Sequence, residues 1–169
     1  MNNLKSFFLA YSAALCLVIV LAGCNTKEAT IFEVTYDSAL GLEGYDGRLL
    51  LMITKDSLKE PRFQINDSNE TGIIIGKNVQ QWTPGQKELF NSSAQAYPIE
   101  NLNQLKSGTY FVQALLHKYD TFDLSSGHTV QLPMDQGEGQ HWNTSPKNIY
   151  SKPIKIEFDK NSKRPFEIV

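Results

Sequence analysis

Beyond Ala29 this 169-residue chain predicts an all-β fold, and three observations predict it. Apolar and polar side chains alternate in short runs such as Ile31-Phe32-Glu33-Val34-Thr35-Tyr36 and Ile154-Lys155-Ile156-Glu157-Phe158, the period of a half-buried strand. Glycine, proline, asparagine and aspartate punctuate those runs, where they set turns. No segment after the opening repeats apolar residues at helical spacing, so no long helix is expected.

The opening differs in kind. Lys5 is the only charge in residues 1–23, and an apolar run from Phe7 to Val20 follows it. A charged start, an apolar middle and a small-residue end make a secretory signal. Its end, Leu21-Ala22-Gly23-Cys24, resembles the bacterial lipobox, in which the cysteine thiol takes a diacylglycerol and becomes the new N-terminus. Small residues at 22 and 23 let an extended backbone enter a peptidase cleft, and the thiol supplies the nucleophile. The competing reading is an uncleaved helical anchor from Phe7 to Gly23, just long enough to span a bilayer. The lipobox is favoured because Cys24 stands where charge and polarity resume. The expectation is a signal peptide over 1–23, a lipidated tether over 24–29, one domain over 30–160 and a C-terminal tail over 161–169. Such a protein would sit in the cell envelope, membrane-anchored by palmitate-type chains, at the periplasmic or surface face of the outer membrane. Each buried CH₂ of an acyl chain contributes roughly 0.8 kcal/mol, so release would be very slow.

Lipidation also accounts for both cysteines. Cys16 leaves with the signal and Cys24 carries lipid, so the core must stabilise the mature chain without disulfides. Loss of Lys5 takes the formal charge from −2 to −3, with 15 basic against 18 acidic side chains. Neither sign is clustered, which excludes a nucleic-acid footprint.

In chain order, Phe32, Val34 and Tyr36 form the apolar face of a first strand. Gly44-Tyr45-Asp46-Gly47 reads as a turn, and Leu49-Leu50-Leu51-Met52-Ile53 as a central strand covered on both faces. Arg62-Phe63-Gln64-Ile65 and Gly72-Ile73-Ile74-Ile75 are shorter strand candidates on either side of a polar turn. From Lys77 to Asn103, Pro84-Gly85 and Tyr97-Pro98 interrupt the pattern, leaving one strand near Glu88-Leu89-Phe90. Leu105-Lys106-Ser107-Gly108-Thr109-Tyr110 then opens a long strand through Leu116. A leucine, a turn glycine and a tyrosine there look like the tyrosine corner of immunoglobulin-like sandwiches, whose phenol bonds back across the connection. Val130 and Leu132 mark another strand, and Ile154, Ile156 and Phe158 the last clear one. Short strands in this number argue for an immunoglobulin-like antiparallel β-sandwich.

Catalytic patterns are missing. The chain has no G-x-S-x-G, H-E-x-x-H, C-x-x-C, P-loop or EF-hand loop, so no catalytic residue, metal ligand or cofactor is expected. Its three histidines do not suggest a zinc site. His128 shares parity with Val130 and Leu132 and is expected to face the core, while His117 reads as a strand-end residue. One connection stands apart. From Pro133 to Tyr150 it is too long for a simple turn and carries Asp135, Glu138, His141, Trp142 and Asn143. Such a loop is a candidate binding or docking surface, an aromatic platform beside carboxylates and amides. The structural alternative is that Trp142 merely covers an open end of the sandwich. Asp37-Ser38-Ala39 and Asp56-Ser57-Leu58 also match a short Asp-Ser/Thr-apolar pattern that is O-glycosylated in some bacteria.

The residues Gly127-His128-Thr129-Val130, Pro133 through Gln140, Trp142-Asn143, Ser145-Pro146 and Tyr150-Ser151 carry a resemblance. Together with Gly47 to Ile53 and Glu60-Pro61-Arg62, they are similar to the N-terminal region of large secreted bacterial esterases. In those proteins an esterase D-like α/β-hydrolase domain follows and holds the nucleophile. The likeness covers roughly residues 30 to 158 and implies a non-catalytic accessory domain, present as a fragment or a shortened product ending at Val169. The hydrolase domain is then the expected partner. The alternative is a free-standing surface lipoprotein that binds a carbohydrate or peptide through the 133–150 loop.

Overall fold

The computed structural model describes residues 29–41, 43–68, 70–134, 137, 141–162 and 164–169. The expected signal peptide, Cys24, Asp135 and Glu138 lie outside the described residues. Among the described residues the fold is all-β, with three short 3-10 turns as its helical elements and no helix long and apolar enough to cross a membrane.

The strands in chain order are β1 (Thr30–Val34), β2 (Tyr45–Thr54), β3 (Ile73–Trp82), β4 (Glu88–Asn91), β5 (Ala96–Tyr97) and β6 (Gly108–Lys118). They continue with β7 (Asp120–Asp123), β8 (Thr129–Leu132), β9 (Ile149–Tyr150), β10 (Ile154–Phe158) and β11 (Phe166–Ile168). A three-stranded sheet runs β11-β1-β4, and a six-stranded one runs β10-β6-β2-β3-β5 with β9 also on β6. Strands β7 and β8 form a separate two-stranded ribbon. β11 lies parallel to β1, and the other pairs are antiparallel.

Alternation decides which side chains meet. Phe32, Val34 and Ile168 of one sheet pack with Leu49, Leu51, Val112 and Leu116 of the other in a single core cluster. Each fully buried side chain of this size stabilises by roughly 1.5–3 kcal/mol. The opposite parity of β2 and β6 is buried too: Met52, Gln113 and Leu115 have no exposed surface, as expected for a central strand covered on both faces.

Several local expectations are corrected. Gly47 is not in a turn but inside β2, where a Cβ would stand 2.5 Å from the His117 carbonyl oxygen. It is glycine because two backbones approach closely there. Arg62-Phe63-Gln64-Ile65 is not a strand: Pro61–Phe63 forms a 3-10 turn with proline at its first position. β3 runs on through Lys77 to Trp82, and its inward parity slips from Ile75 and Val79 to Trp82 because Gln81 adopts a positive φ of 47° beside a register shift. His128 is exposed, because Val130 and Leu132 belong to the ribbon and not to the core. The packed fold also extends past residue 160, since Ile168 on β11 is fully buried.

The two ends of the molecule differ. Ala29, the last residue of the expected tether, accepts a bond from Ser92, and Phe158 pairs with Gly108 at that same end. At the other end Gly47 pairs with Lys118, and the β7–β8 ribbon projects beyond. β6 alone has 11 residues, roughly 35 Å at the strand rise.

Candidate functional site

The long connection between β6 and β10 is anchored by one buried amide. Gln113 projects from the outer face of the six-stranded sheet. Its Oε1 accepts the Arg62 backbone N–H at 3.1 Å, and its Nε2 donates to Glu60 Oε2 at 2.8 Å and to the Ser151 carbonyl at 2.9 Å. A buried amide left unpaired would cost about 1–3 kcal/mol, so these bonds fix both the Glu60–Phe63 turn and the segment between β9 and β10 against the sheet.

Arg62 extends the clasp. Its guanidinium pairs with Glu60 at 2.9 Å and lies 3.7 Å above the Tyr150 ring and 4.5 Å from that of Phe63, the stacking that suits a planar cation. Its Nη1 donates to the Asn143 carbonyl at 3.4 Å, and Asn143 Nδ2 returns a bond to the Arg62 carbonyl at 3.3 Å. Asn148 Nδ2 donates to the Trp142 carbonyl at 2.6 Å, which leaves its Oδ1 facing His117 Nδ1 at 2.9 Å. Lys147 ties the same loop to Asp120 at 2.8 Å.

Beside this loop lies an apolar groove of about 660 Å³, floored by Tyr36, Leu49, Trp82 and Leu116 and bounded by Ile149 and Tyr150. Its rim carries exposed apolar surface: Leu40 is 53% exposed, Tyr150 50% and Val169 68%. The floor is rigid. Tyr36 meets Trp82 edge-on at 4.8 Å, its hydroxyl donates to the Trp82 carbonyl at 2.8 Å, and Trp82 Nε1 donates to Gln86 at 2.9 Å. Burial, with Tyr45 beside it, pushes the Tyr36 phenol above its ordinary pKa.

The ribbon stands at the same end. Its Gln131 reaches Asp46 at 2.9 Å, and its Asp120, on the other parity, pairs with Lys147. Phe122 and Val130 share the other parity with exposed Leu124 and Leu132.

Of the residues singled out from sequence, His141 is exposed and Trp142 and Asn143 are half-buried in this loop. Sequence reasoning passed over Gln113, Arg62 and Asn148, which hold the loop in place. A signal for Gln113 existed: it is the one amide in the apolar run Tyr110 to Leu116. A second cleft of about 580 Å³ lies toward the end of the molecule that carries Ala29 and Phe158 and is lined by polar groups including Lys55, Lys59 and Glu70. Among the described residues no three His, Cys, Asp or Glu side chains gather closely enough to hold a metal. No family model, curated protein or solved structure matches the chain.

Proposed function

We propose that this chain is a lipid-anchored, non-catalytic, immunoglobulin-like sandwich that docks a hydrolase-type partner domain at the end opposite its tether. The immunoglobulin-like reading is supported by the Tyr110 hydroxyl, which donates to the Lys106 carbonyl at 2.8 Å as a corner tyrosine does. β1 and β4 then stand for strands B and E, and β2, β3, β6 and β9–β10 for C, C′, F and G. The ribbon and clasped loop become an expanded F–G connection, where this architecture carries recognition.

The observation that carries the docking reading is the Gln113–Arg62 clasp. It holds residues 142–151 beside an apolar groove with exposed Leu40 and Tyr150 on its rim. A pre-ordered surface pays less entropy on association than a mobile one. In this reading catalysis belongs to the partner, and among the described residues His117 pairs with an amide, Asn148, and not with a serine or cysteine.

The test is a titration of the Cys24→Ser chain, without its signal, with an esterase D-like hydrolase domain, followed by tryptophan fluorescence. Saturable binding is expected, weakened by about 2 kcal/mol in Trp142→Ala as for a buried aromatic anchor. Absence of binding would overturn the docking reading, and ester turnover by the chain alone would overturn the non-catalytic one.

A further inference from the structure

Three Asp-Ser/Thr-apolar triplets occur in the chain: Asp37-Ser38-Ala39, Asp56-Ser57-Leu58 and Asp120-Thr121-Phe122. The structure separates them. In the first two, all three side chains are exposed. In each, the aspartate Oδ1 accepts the backbone N–H of the third residue at 2.8 Å, which places the serine at the tip of a tight turn. Ser38 Oγ reaches only Asp37 Oδ1, at 3.4 Å, and Ser57 Oγ has no hydrogen-bond partner among the described residues. Leu58 is 88% exposed, so packing gives no reason for a leucine there. The third triplet lies inside β7, where Thr121 pairs with Gln131, the Asp120 carboxylate is taken by Lys147 and Phe122 is half-buried opposite Val130.

We propose that Ser38 and Ser57 are acceptors of O-linked glycans and that Thr121 is not. A transferase must seat the acceptor and its two neighbours in its own cleft. The turns present a carboxylate, an exposed hydroxyl and an exposed apolar side chain together, whereas Thr121 would first have to leave its strand pair. In the transfer, the serine Oγ attacks C1 of a glycosyl diphosphate donor. The C1–Oγ bond forms as the bond from C1 to the phosphate oxygen breaks. The diphosphate carrier leaves with the bonding electrons, and the hydroxyl proton passes to a base of the transferase. Asp37, Ala39 and Leu40 line the apolar groove, so a glycan on Ser38 would overhang the docking surface.

This inference rests on the envelope reading, because such transferases meet secreted chains, and one measurement separates the two. The full-length protein is isolated from the envelope of the cell that encodes it, and its intact mass is read. Expected is the lipidated mature mass plus two glycan increments. Ser38→Ala and Ser57→Ala should each remove one, the double variant both, and Thr121→Ala none, while Ser38→Thr retains its increment. A lipidated mass without increments would overturn the proposal and leave the anchor standing. Increments that survive the double variant would also overturn it. Increments on a chain without lipid would uphold these sites and overturn the anchor.

Discussion

Tyr110 shows how much one side chain can fix. Its hydroxyl is bonded to the Lys106 carbonyl at 2.8 Å and its ring meets Phe158 edge-on at 6.4 Å, so it joins the connection before β6 to the neighbouring edge strand β10. Tyr110→Phe should lose about 0.5–1.5 kcal/mol, one net hydrogen bond. Tyr110→Ala should lose about 3–5 kcal/mol through the cavity it leaves. Chemical denaturation measures both. Burial also raises the Tyr110 phenol above its ordinary pKa of 10.0. A folded pKa above the unfolded one gives a contribution that is complete below pH 10 and is lost as pH rises through the folded value. Melting temperatures scanned through alkaline pH should therefore fall less steeply in Tyr110→Phe; an unchanged slope would argue against a buried phenol. This residue was legible because Leu105, Gly108 and Tyr110 have fixed spacing. Gln113 was not, because what its amide binds comes from residues 51 positions earlier and 38 later.

At the scale of the element, legibility followed the regularity of the pattern. β1, the apolar part of β2, β6 and β10 carry unbroken alternation or unbroken apolar runs and were readable as strands. β3 was readable only to Ile75, because the twist at Gln81 shifts its inward parity and a period-2 pattern no longer follows it. Residues 62–65 misled for the opposite reason. They alternate like a strand, yet Phe63 is 42% exposed and the Arg62 N–H is spent on a glutamine side chain. The 133–150 loop was recognisable as unusual from its length and its tryptophan, but the bonds that hold its residues 142–148 were invisible locally. Gln113→Leu keeps the volume and removes the bonds, leaving the Arg62 N–H and Ser151 carbonyl without their partner. The expected loss is about 1–3 kcal/mol for each group left buried and unpaired. Hydrogen exchange should rise at residues 143–151 while β2 and the core of β6 stay protected. Exchange unchanged in that loop would mean the clasp does not hold it.

Across the whole molecule the strands set a direction. Ala29 and Phe158 mark one end; Lys118, the ribbon and the groove mark the other, roughly 35 Å away along β6. The five residue steps from Cys24 to Ala29 reach at most about 18 Å when extended, so an acylated Cys24 would keep the first end near the headgroups and hold the docking end well clear of them. Two labels test this. Lys160 bonds Ser107 at the end that carries Phe158, and Ser126 lies in the turn between β7 and β8. If the signal is cleaved and Cys24 acylated, no other thiol would remain, so Lys160→Cys and Ser126→Cys would each offer one site for a fluorophore. In vesicles, a quencher fixed at the headgroups should dim the label at 160 strongly and the label at 126 little. Metabolic labelling with palmitate, abolished by Cys24→Ala, establishes the anchor in the same preparations. If palmitate is incorporated yet both fluorophores are quenched equally, the domain lies flat on the membrane and the groove cannot be its distal face. If quenching is strong at 126 and weak at 160, the orientation is inverted and the docking surface must be sought near the polar cleft at Lys55 and Glu70 instead.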